Sequence, residues 1–315
     1  MKNKAFAAID LGTNSCRLLI CNEKGEPLVS EAVSTRLGEG MQEEMKFTAE
    51  AVARGLSCLK NYKKIMDGYD ILKYRAIATA ACRMASNGAA FVEEAERKCG
   101  IKLEVVDGFE EARLNLKGAA SHMKGRASYV LIFDIGGGST EITLAENDEA
   151  LKIINTISIP WGARNASEAF QLAEYHPERA RQLETEIRGY VQKFKQDSHW
   201  ENYCCDFCCV ATSSTPLRLA AMVAGHPAYD RQKADGLEAS FESFEQAISA
   251  LRQMDCAALA ASPYVGEKRS VIFQAAMIIF ETICRTLGLT SVTASLKSAK
   301  DGIIEELVNG YGKTN

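Results

Sequence analysis

The sequence lacks several features that would assign it to a common class of protein. It has no excess of basic residues, since 37 Lys and Arg stand against 41 Asp and Glu for a net charge of −4. This argues against a protein that holds duplex DNA mainly by charge. Its longest apolar stretch, residues 271–280, is about half the length needed to span a bilayer. The short apolar run before Asp10 is too small for a signal-peptide core. We therefore expect a cytoplasmic protein that binds neither nucleic acid nor membrane.

Familiar catalytic motifs are also missing. The chain has no G-x-x-x-x-G-K-[ST] loop, no G-x-G-x-x-G after a strand and no G-x-S-x-G elbow. Its four histidines include no H-E-x-x-H pair. These absences argue against P-loop, dinucleotide-binding, serine-hydrolase and His-based zinc enzymes.

Cysteine is plentiful but does not form a disulfide pattern. The eleven cysteines are odd in number and scattered. The run at Cys204, Cys205, Cys208 and Cys209 has no second ligand pair of zinc-site spacing. We expect no metal there and predict a buried strand over 207–211.

Length and composition indicate two globular domains. The 315 residues are 47% hydrophobic and 25% charged, and a domain averages about 150 residues. No Pro-, Gly- or Ser-rich linker divides the chain, so we place the boundary in the polar stretch 124–126. The predicted domains are 1–125 and 126–315, and the last helix is allowed to pack back on the first.

The two predicted domains begin with the same pattern. An apolar strand ends at Asp10, a turn follows at 11–15, and a second strand begins at Cys16. The pattern recurs after an apolar run ending at Asp134, with Gly136 matching Gly12 and Ser139 matching Ser15. A duplicated domain is therefore predicted. Further helices are predicted at 48–66, from a cap at Asn87 to Cys99, at 109–122, 177–195, 214–223, 268–287 and 301–309.

Both turns carry groups suited to phosphate. Glycine exposes backbone N–H groups to an approaching anion, and Ser and Thr add hydroxyl donors. The aspartate before each turn, Asp10 or Asp134, can hold a divalent cation that neutralises phosphate. Ordinary hairpin turns remain the alternative. The candidate phosphate-binding residues are Gly12, Thr13, Asn14, Ser15, Gly136, Gly137, Gly138, Ser139 and Thr140. If the two turns face each other across a cleft, they would grip a polyphosphate chain from both sides.

Carboxylates near the turns are candidates for catalysis. Strand alternation puts Glu141 on the face of Ser139, where it can hold metal or orient water. Glu110 and Glu111 point about 100° apart on a helix, so only one can enter a cleft and act as general base. The alternatives are a solvent-facing Glu141 and simple helix capping by the glutamate pair.

Basic residues can complete such a site. Arg83 follows a strand end and small residues, so its guanidinium can fork onto phosphate oxygens, although a solvated surface arginine is the alternative. Arg113 and Lys117, four residues apart, can line one side of the helix that follows Glu111.

These motifs together resemble the Ppx/GppA family of exopolyphosphatases and guanosine pentaphosphate phosphohydrolases. The matching segments are 9–18, 78–87, 108–114 and, most strongly, 134–141, with a weaker similarity at 159–164. The resemblance implies an α/β fold of duplicated actin-like (ribonuclease H-like) domains with an interdomain cleft. It also implies Mg²⁺-dependent hydrolysis of a terminal phosphoanhydride bond, with Glu111 as base. Asp134 and Glu141 would be catalytic or metal-binding, and Asp10 would also hold metal.

The second half departs from the family pattern. Residues 211–215 lack both glycines of the family's G-T-x-G-T loop, and 295–302 has lost one glycine of S-x-x-G-L-R-E-G, with Lys in place of Arg. We predict hydrolysis of polyphosphate or guanosine pentaphosphate, by a monomer or a homodimer. The alternatives are a catalytically weak polyphosphate or alarmone binder and an ATP-dependent kinase of the same fold.

Overall fold

The computed structural model describes residues 2–41 and 45–312, and the chain divides into two compact units. The first unit contains Met1–Gly118 and Ala299–Asn315, and the second contains Ala119–Ser298. The predicted boundary at 125/126 thus lies a few residues inside the second unit. The last helix belongs to the first unit, so that unit is discontinuous in sequence.

The first unit is built on a five-stranded sheet. The strands are Lys4–Leu11, Cys16–Asn22, Pro27–Val33, Asp70–Ala78 and Glu104–Val105 (β1–β5), and the helices are Ala49–Met66, Ala80–Met84, Gly88–Cys99 and Gly108–Ala119 (α1–α4). The strand order is β3-β2-β1-β4-β5. Strands β1 to β3 are antiparallel neighbours, whereas β4 lies parallel to β1 and β5 parallel to β4.

The second unit repeats this arrangement. Its strands are Tyr129–Ile135, Thr140–Glu146, Ile153–Ile159, Phe207–Thr212, Glu238–Ser240 and Ser291–Ser295 (β6–β11). They form a sheet in the order β10-β11-β9-β6-β7-β8, with β6 to β8 antiparallel and β9 parallel to both β6 and β11. The helices are Ala163–Ala169, Pro177–Ser198, Ser214–Val223, Arg231–Ala234, Phe241–Arg252, Cys256–Ala261 and Glu267–Leu287 (α5–α11), and Ala299–Gly312 (α12) returns to the first unit. The matching strand orders confirm the predicted duplicated, actin-like α/β fold class.

Strand β1 is apolar throughout because both of its faces are buried. Ile9 and Leu11 face the core beneath α1 and α3, whereas Phe6 and Ala8 face a cluster that includes Ile303 of α12. A strand that is buried on both faces shows a continuous apolar run instead of alternation.

Helix α12 lies against α4 because glycine permits a close approach. A Cβ placed on Gly302 would lie 2.2 Å from the carbonyl oxygen of Leu114. The backbone N–H of Ala299 also donates to the Asn115 side chain at 2.7 Å. These contacts attach the end of the chain to the first unit.

One helix of the described residues, Glu267–Leu287 (α11), is long and apolar enough to cross a membrane by length and composition. Its most apolar window is 83% buried inside the protein. Phe273, Phe280 and Ile283 lie in the main cluster of the second unit, so the apolar residues of α11 supply that unit's core.

Most predicted element bounds agree with the structure, and one predicted cap does not. Helices α1, α7 and α11 lie within a residue of their predicted limits, and the strand predicted at 207–211 is β9. Asn87 precedes α3 but makes no capping hydrogen bond. Its side chain instead binds the backbone of Phe47, accepting from N–H at 2.9 Å and donating to C=O at 3.1 Å. The prediction that the Asn87 side chain caps the helix was therefore wrong, although the helix does begin directly after Asn87.

Candidate active site

The first turn, Gly12–Ser15, joins β1 to β2 and is closed by a hydrogen bond from Gly12 N–H to the Ser15 carbonyl at 3.0 Å. The carbonyls of Thr13 and Asn14 accept from the N–H groups of Gly38 and Arg36, at 2.9 and 3.0 Å. The turn's own N–H groups at Thr13 and Ser15 donate to no backbone acceptor among the described residues. An anion can therefore approach these two groups.

Asp10 lies opposite Arg17 across the β1–β2 pair. Nη1 of Arg17 donates to Oδ2 of Asp10 at 3.0 Å, and Asp10 is only 6% exposed. Asp10 was predicted to hold metal, but one of its carboxylate oxygens already accepts from a guanidinium. This makes Asp10 a poorer cation ligand than the sequence suggested.

Arg83 and Glu111 form an ion pair within the first unit. Arg83 lies in the short helix α2 and Glu111 in the first turn of α4. Nη1 of Arg83 donates to Oε2 of Glu111 at 2.9 Å and to the carbonyl of Val106 at 2.8 Å. No protein acceptor in the described residues takes the remaining N–H groups of Arg83. The guanidinium therefore holds Glu111 in place with one nitrogen and leaves the others for a further anion.

Glu110 points into a different environment from its neighbour. It accepts from Arg113 at 2.7 Å and from Arg75 at 2.8 Å. The hydrogen bonds from Arg113 and Arg75 hold the pKa of Glu110 below its usual range. Arg113 and Lys117 share one side of α4 as expected, but Glu306 of α12 lies against that side. These residues therefore form a structural ion cluster.

The second turn lies between β6 and β7 and is held from behind by the segment 161–165. Gly136 N–H donates to the Ser139 carbonyl at 2.9 Å, as in the first turn. The Gly136 carbonyl accepts from Ala163 N–H at 2.8 Å, and the Gly137 carbonyl accepts from Arg164 N–H at 2.9 Å. The N–H groups of Gly137 and Gly138 donate to no backbone acceptor within the described part of the chain. The turn thus directs its carbonyls inward and keeps N–H groups for an anion.

Two further residues fix this arrangement. The amide of Asn165 donates to the carbonyls of Gly138 and Pro160, both at 2.9 Å, and its oxygen accepts from Gly162 N–H at 2.7 Å. A Cβ on Gly162 would lie 2.6–2.7 Å from backbone atoms of Gly136, Gly137 and Gly138. Only glycine permits this approach. Thr140, the last predicted phosphate ligand, instead donates to the Trp161 carbonyl at 2.8 Å.

Asp134 and Glu141 lie directly opposite each other on β6 and β7. Opposed residues in an antiparallel pair share a face and lie close together. Glu141 is 2% exposed and accepts from Ser158 Oγ at 2.9 Å, and Thr212 of β9 is the parallel partner of Asp134. The alternative of a solvent-facing Glu141 is excluded by this burial. A polar row therefore crosses the sheet just before the glycine turn.

Comparison with known proteins identifies the family. The sequence pattern of the Ppx/GppA phosphatase family matches residues 21–310. The chain belongs to this family.

Individual Ppx/GppA relatives agree with this assignment. The guanosine-5'-triphosphate,3'-diphosphate pyrophosphatase of Aeromonas hydrophila is 28% identical over 314 residues, covering 96% of this chain and 59% of that protein. The enzyme of the same name from Aeromonas salmonicida gives the same identity and coverage. The chain thus spans 59% of the length of these curated relatives.

Solved structures of Ppx/GppA relatives share the fold. An exopolyphosphatase from Cytophaga hutchinsonii has a TM-score of 0.85 at 23% identity, with 97% of this chain and 98% of that chain covered. The Aquifex aeolicus family member has a TM-score of 0.80 at 24% identity, with 99% of both chains covered.

The residues present fit a magnesium ion at one place in this Ppx/GppA protein. Mg²⁺ is usually held by one or two carboxylates together with water and phosphate oxygens. The opposed carboxylates of Asp134 and Glu141 meet that requirement. No group of three or more His, Cys, Asp or Glu side chains suited to a metal occurs in residues 2–41 and 45–312. Substrate and water would therefore have to complete the coordination.

The cysteine run divides between a turn and a strand. Cys204 and Cys205 are exposed ahead of β9, whereas Cys208 and Cys209 are adjacent and buried within it. Adjacent strand residues point to opposite faces, so Cys208 and Cys209 cannot approach one ion together. The absence of metal there stays a prediction.

Sequence reasoning missed three residues that shape the Ppx/GppA site. Arg17 was not recognised as the partner of Asp10. The pairing could have been inferred from the turn, because residue 11 pairs with residue 16 across it and residue 10 must therefore pair with residue 17. Ser158 could have been found only from the register of β7 with β8. Asn165 gave no local signal, since its role depends on the turn folding back over α5.

Proposed function

We propose that this protein hydrolyses the terminal phosphoanhydride bond of inorganic polyphosphate or of guanosine pentaphosphate, with Mg²⁺ as cofactor. Family membership supports the phosphohydrolase class. The site observation that carries the proposal is the buried, opposed pair Asp134 and Glu141 beside a glycine turn whose carbonyls are all occupied. Such a turn offers donors for phosphate oxygens, and the pair offers ligands for a cation.

Each group of the chain has one role in the proposed reaction. The N–H groups of the two turns bind phosphate oxygens, because glycine lets an anion approach the backbone closely. Arg83 neutralises charge on the transferred phosphoryl group through the nitrogens that Glu111 and Val106 leave free. Mg²⁺ held by Asp134 and Glu141 would supply further neutralisation.

Glu111 accepts the proton of the attacking water in this proposal. A general base must be held within hydrogen-bond reach of the proton it removes, and the bond from Arg83 fixes the Glu111 carboxylate for that purpose. Glu110 cannot substitute for it, because Arg75 and Arg113 already occupy the Glu110 carboxylate.

The experiment is phosphate release with Mg²⁺ from tripolyphosphate, long-chain polyphosphate, guanosine pentaphosphate and ATP in parallel. Glu111→Gln should lower turnover by roughly 10² to 10⁴, the usual contribution of a general base. Substrate affinity should hold or rise slightly, since a negative charge near phosphate is lost.

Glu110→Gln is the matched control, with the same chemical change one residue away, and it should keep most of the activity. Full turnover by the Glu111 variant would remove that residue from the mechanism. Binding of polyphosphate without release by the unaltered protein would favour a binding protein, and transfer of phosphate from ATP to an acceptor would favour a kinase.

A further inference from the structure

Two pairs of adjacent cysteines near the start of β9 differ in exposure and in backbone conformation. Cys204 and Cys205 are exposed, whereas Cys208 and Cys209 are buried within the strand. The side chains of Cys208 and Cys209 point to opposite faces of the sheet, because strand residues alternate. Neither restraint applies to the first pair, which precedes the strand and is open to solvent.

The exposed pair occupies the centre of a tight turn. The N–H of Asp206 donates to the Tyr203 carbonyl at 3.2 Å and closes a four-residue turn. Cys204 and Cys205 are the two central residues of this turn. The Cys204 thiol has two hydrogen-bond partners, the Glu201 carbonyl at 3.6 Å and the Cys205 side chain. The two thiols therefore lie in contact on the surface of the second unit.

Adjacent exposed thiols are suited to reversible oxidation. Redox-sensing cysteines are commonly accessible and lie beside a second thiol, which converts a sulfenic acid into a disulfide before further oxidation occurs. Adjacent Cα atoms are about 3.8 Å apart across a trans peptide, short of the roughly 4.4–6.8 Å that most disulfides span. A disulfide between neighbours is therefore strained, and strained, exposed disulfides are the ones that thiols readily reduce.

We propose that Cys204 and Cys205 form a redox site that hydrogen peroxide oxidises to an intramolecular disulfide and that a small thiol reduces again. One sulfur, as its thiolate, attacks the peroxide; the O–O bond breaks, hydroxide leaves and a sulfenic acid forms. The second thiol attacks that sulfur, so the S–S bond forms and its proton leaves with the hydroxyl group as water. Two molecules of a thiol such as glutathione reverse the oxidation and become glutathione disulfide.

The test is peroxide treatment of the full chain, with free thiols alkylated before and after reduction. Cys204 and Cys205 should lose their reactivity together, with the loss of two hydrogen atoms in the mass of the protein, and dithiothreitol should restore both thiols. Fragment spectra of the peptide that contains all four cysteines locate the bond. Cys208 and Cys209 are the matched internal control, because they are equally adjacent but buried in a strand, and they should remain reduced.

Single variants separate the two thiols of the turn. Cys204→Ser and Cys205→Ser each keep a side chain of similar shape at an exposed position. Each variant should abolish the intramolecular disulfide, and dimedone should trap the remaining thiol as a sulfenic acid. Cys256, a partly exposed cysteine in α10 with no cysteine next to it, should likewise yield a dimedone adduct in the unaltered protein.

Three results would overturn the inference. A disulfide-linked dimer would mean that the exposed thiols pair between copies of the chain. Sulfinic acid at Cys204 or Cys205 without a disulfide would mean that the neighbouring thiol does not intercept the sulfenic acid. Equal oxidation of Cys208 and Cys209 would mean that the turn confers no reactivity. All three are read from thiol chemistry, so they are independent of whether the protein releases phosphate.

Discussion

The two hairpins of this protein share one framework but differ in charge. In both, the turn is closed by the same backbone bond, and the residue pairs flanking it are in the same register. Arg17 lies opposite Asp10 in the first hairpin, whereas Glu141 lies opposite Asp134 in the second. The first pair is internally neutralised and the second combines two carboxylates. Duplication thus preserved the turn, and the residue opposite its aspartate differs in charge between the two hairpins.

The hairpins also differ in how their turns are supported. Residues 36 and 38 provide two backbone hydrogen bonds to the first turn, and the Ser34 hydroxyl adds a long one to the Asn14 carbonyl at 3.5 Å. The segment 162–165 provides three to the second, and the Asn165 amide adds a further bond to Gly138. The second turn is therefore more rigidly positioned than the first.

The largest expected effect tests the difference in charge. Glu141→Gln should lower phosphate release by about 10² or more, because the proposed cation site loses half of its negative charge. Arg17→Gln, at the matching position of the first hairpin, should lower it by less than about 10-fold, because it disrupts an ion pair outside that site. Release is measured across a Mg²⁺ titration for both variants. Equal losses in two folded variants would show that the charge difference has no catalytic meaning.

The next effect tests the difference in support. Gly162→Ala should destabilise the protein by about 2–4 kcal/mol, because its Cβ would overlap backbone atoms that cannot move aside. Gly12→Ala should cost less than about 1 kcal/mol, since the nearest atom, the Ser15 carbonyl oxygen, lies 3.4 Å away. Urea unfolding measures both.

Gly189→Ala provides the control for a glycine-to-alanine change. Gly189 lies inside α6, and a Cβ there meets nothing within 4 Å. Alanine at this position should raise the free energy of unfolding by about 0.5–1 kcal/mol, because alanine has a higher helix propensity than glycine. If Gly162→Ala were as mild as Gly12→Ala, the second turn would not be the more rigid of the two.

The shared framework could be predicted from sequence because it depends on local patterns. Apolar strands ending at Asp10 and Asp134, followed by glycine turns at a constant offset, gave the duplication and hence the fold. The separation of Glu110 from Glu111 also followed from helix geometry. All of these inferences use residues within one or two elements of each other.

The remaining features depend on contacts between segments far apart in sequence. Asn87 has the chemistry of a helix cap, but its amide matches the backbone of Phe47, which only the tertiary fold brings near. The last helix joins the first unit because Gly302 fits against Leu114.

The smallest expected effect concerns the contribution of Glu110 to stability in acid. The pKa of Glu110 is lowered by hydrogen bonds from Arg113 and Arg75. A lowered folded-state pKa means that this contribution is fully present above the unfolded value of about 4.5 and is lost as pH falls through the lower folded value. Because Glu110 is partly solvated, the loss should be under about 1 kcal/mol.

Urea midpoints at pH 7 and pH 3 should therefore differ slightly less for Glu110→Gln than for the unaltered protein. Glu149→Gln, at an exposed glutamate in no described ion pair, should not change that difference. A pH response unaltered by Glu110→Gln would mean that the ion cluster on α4 adds nothing to stability and that its arginines only hold Glu110 away from the site.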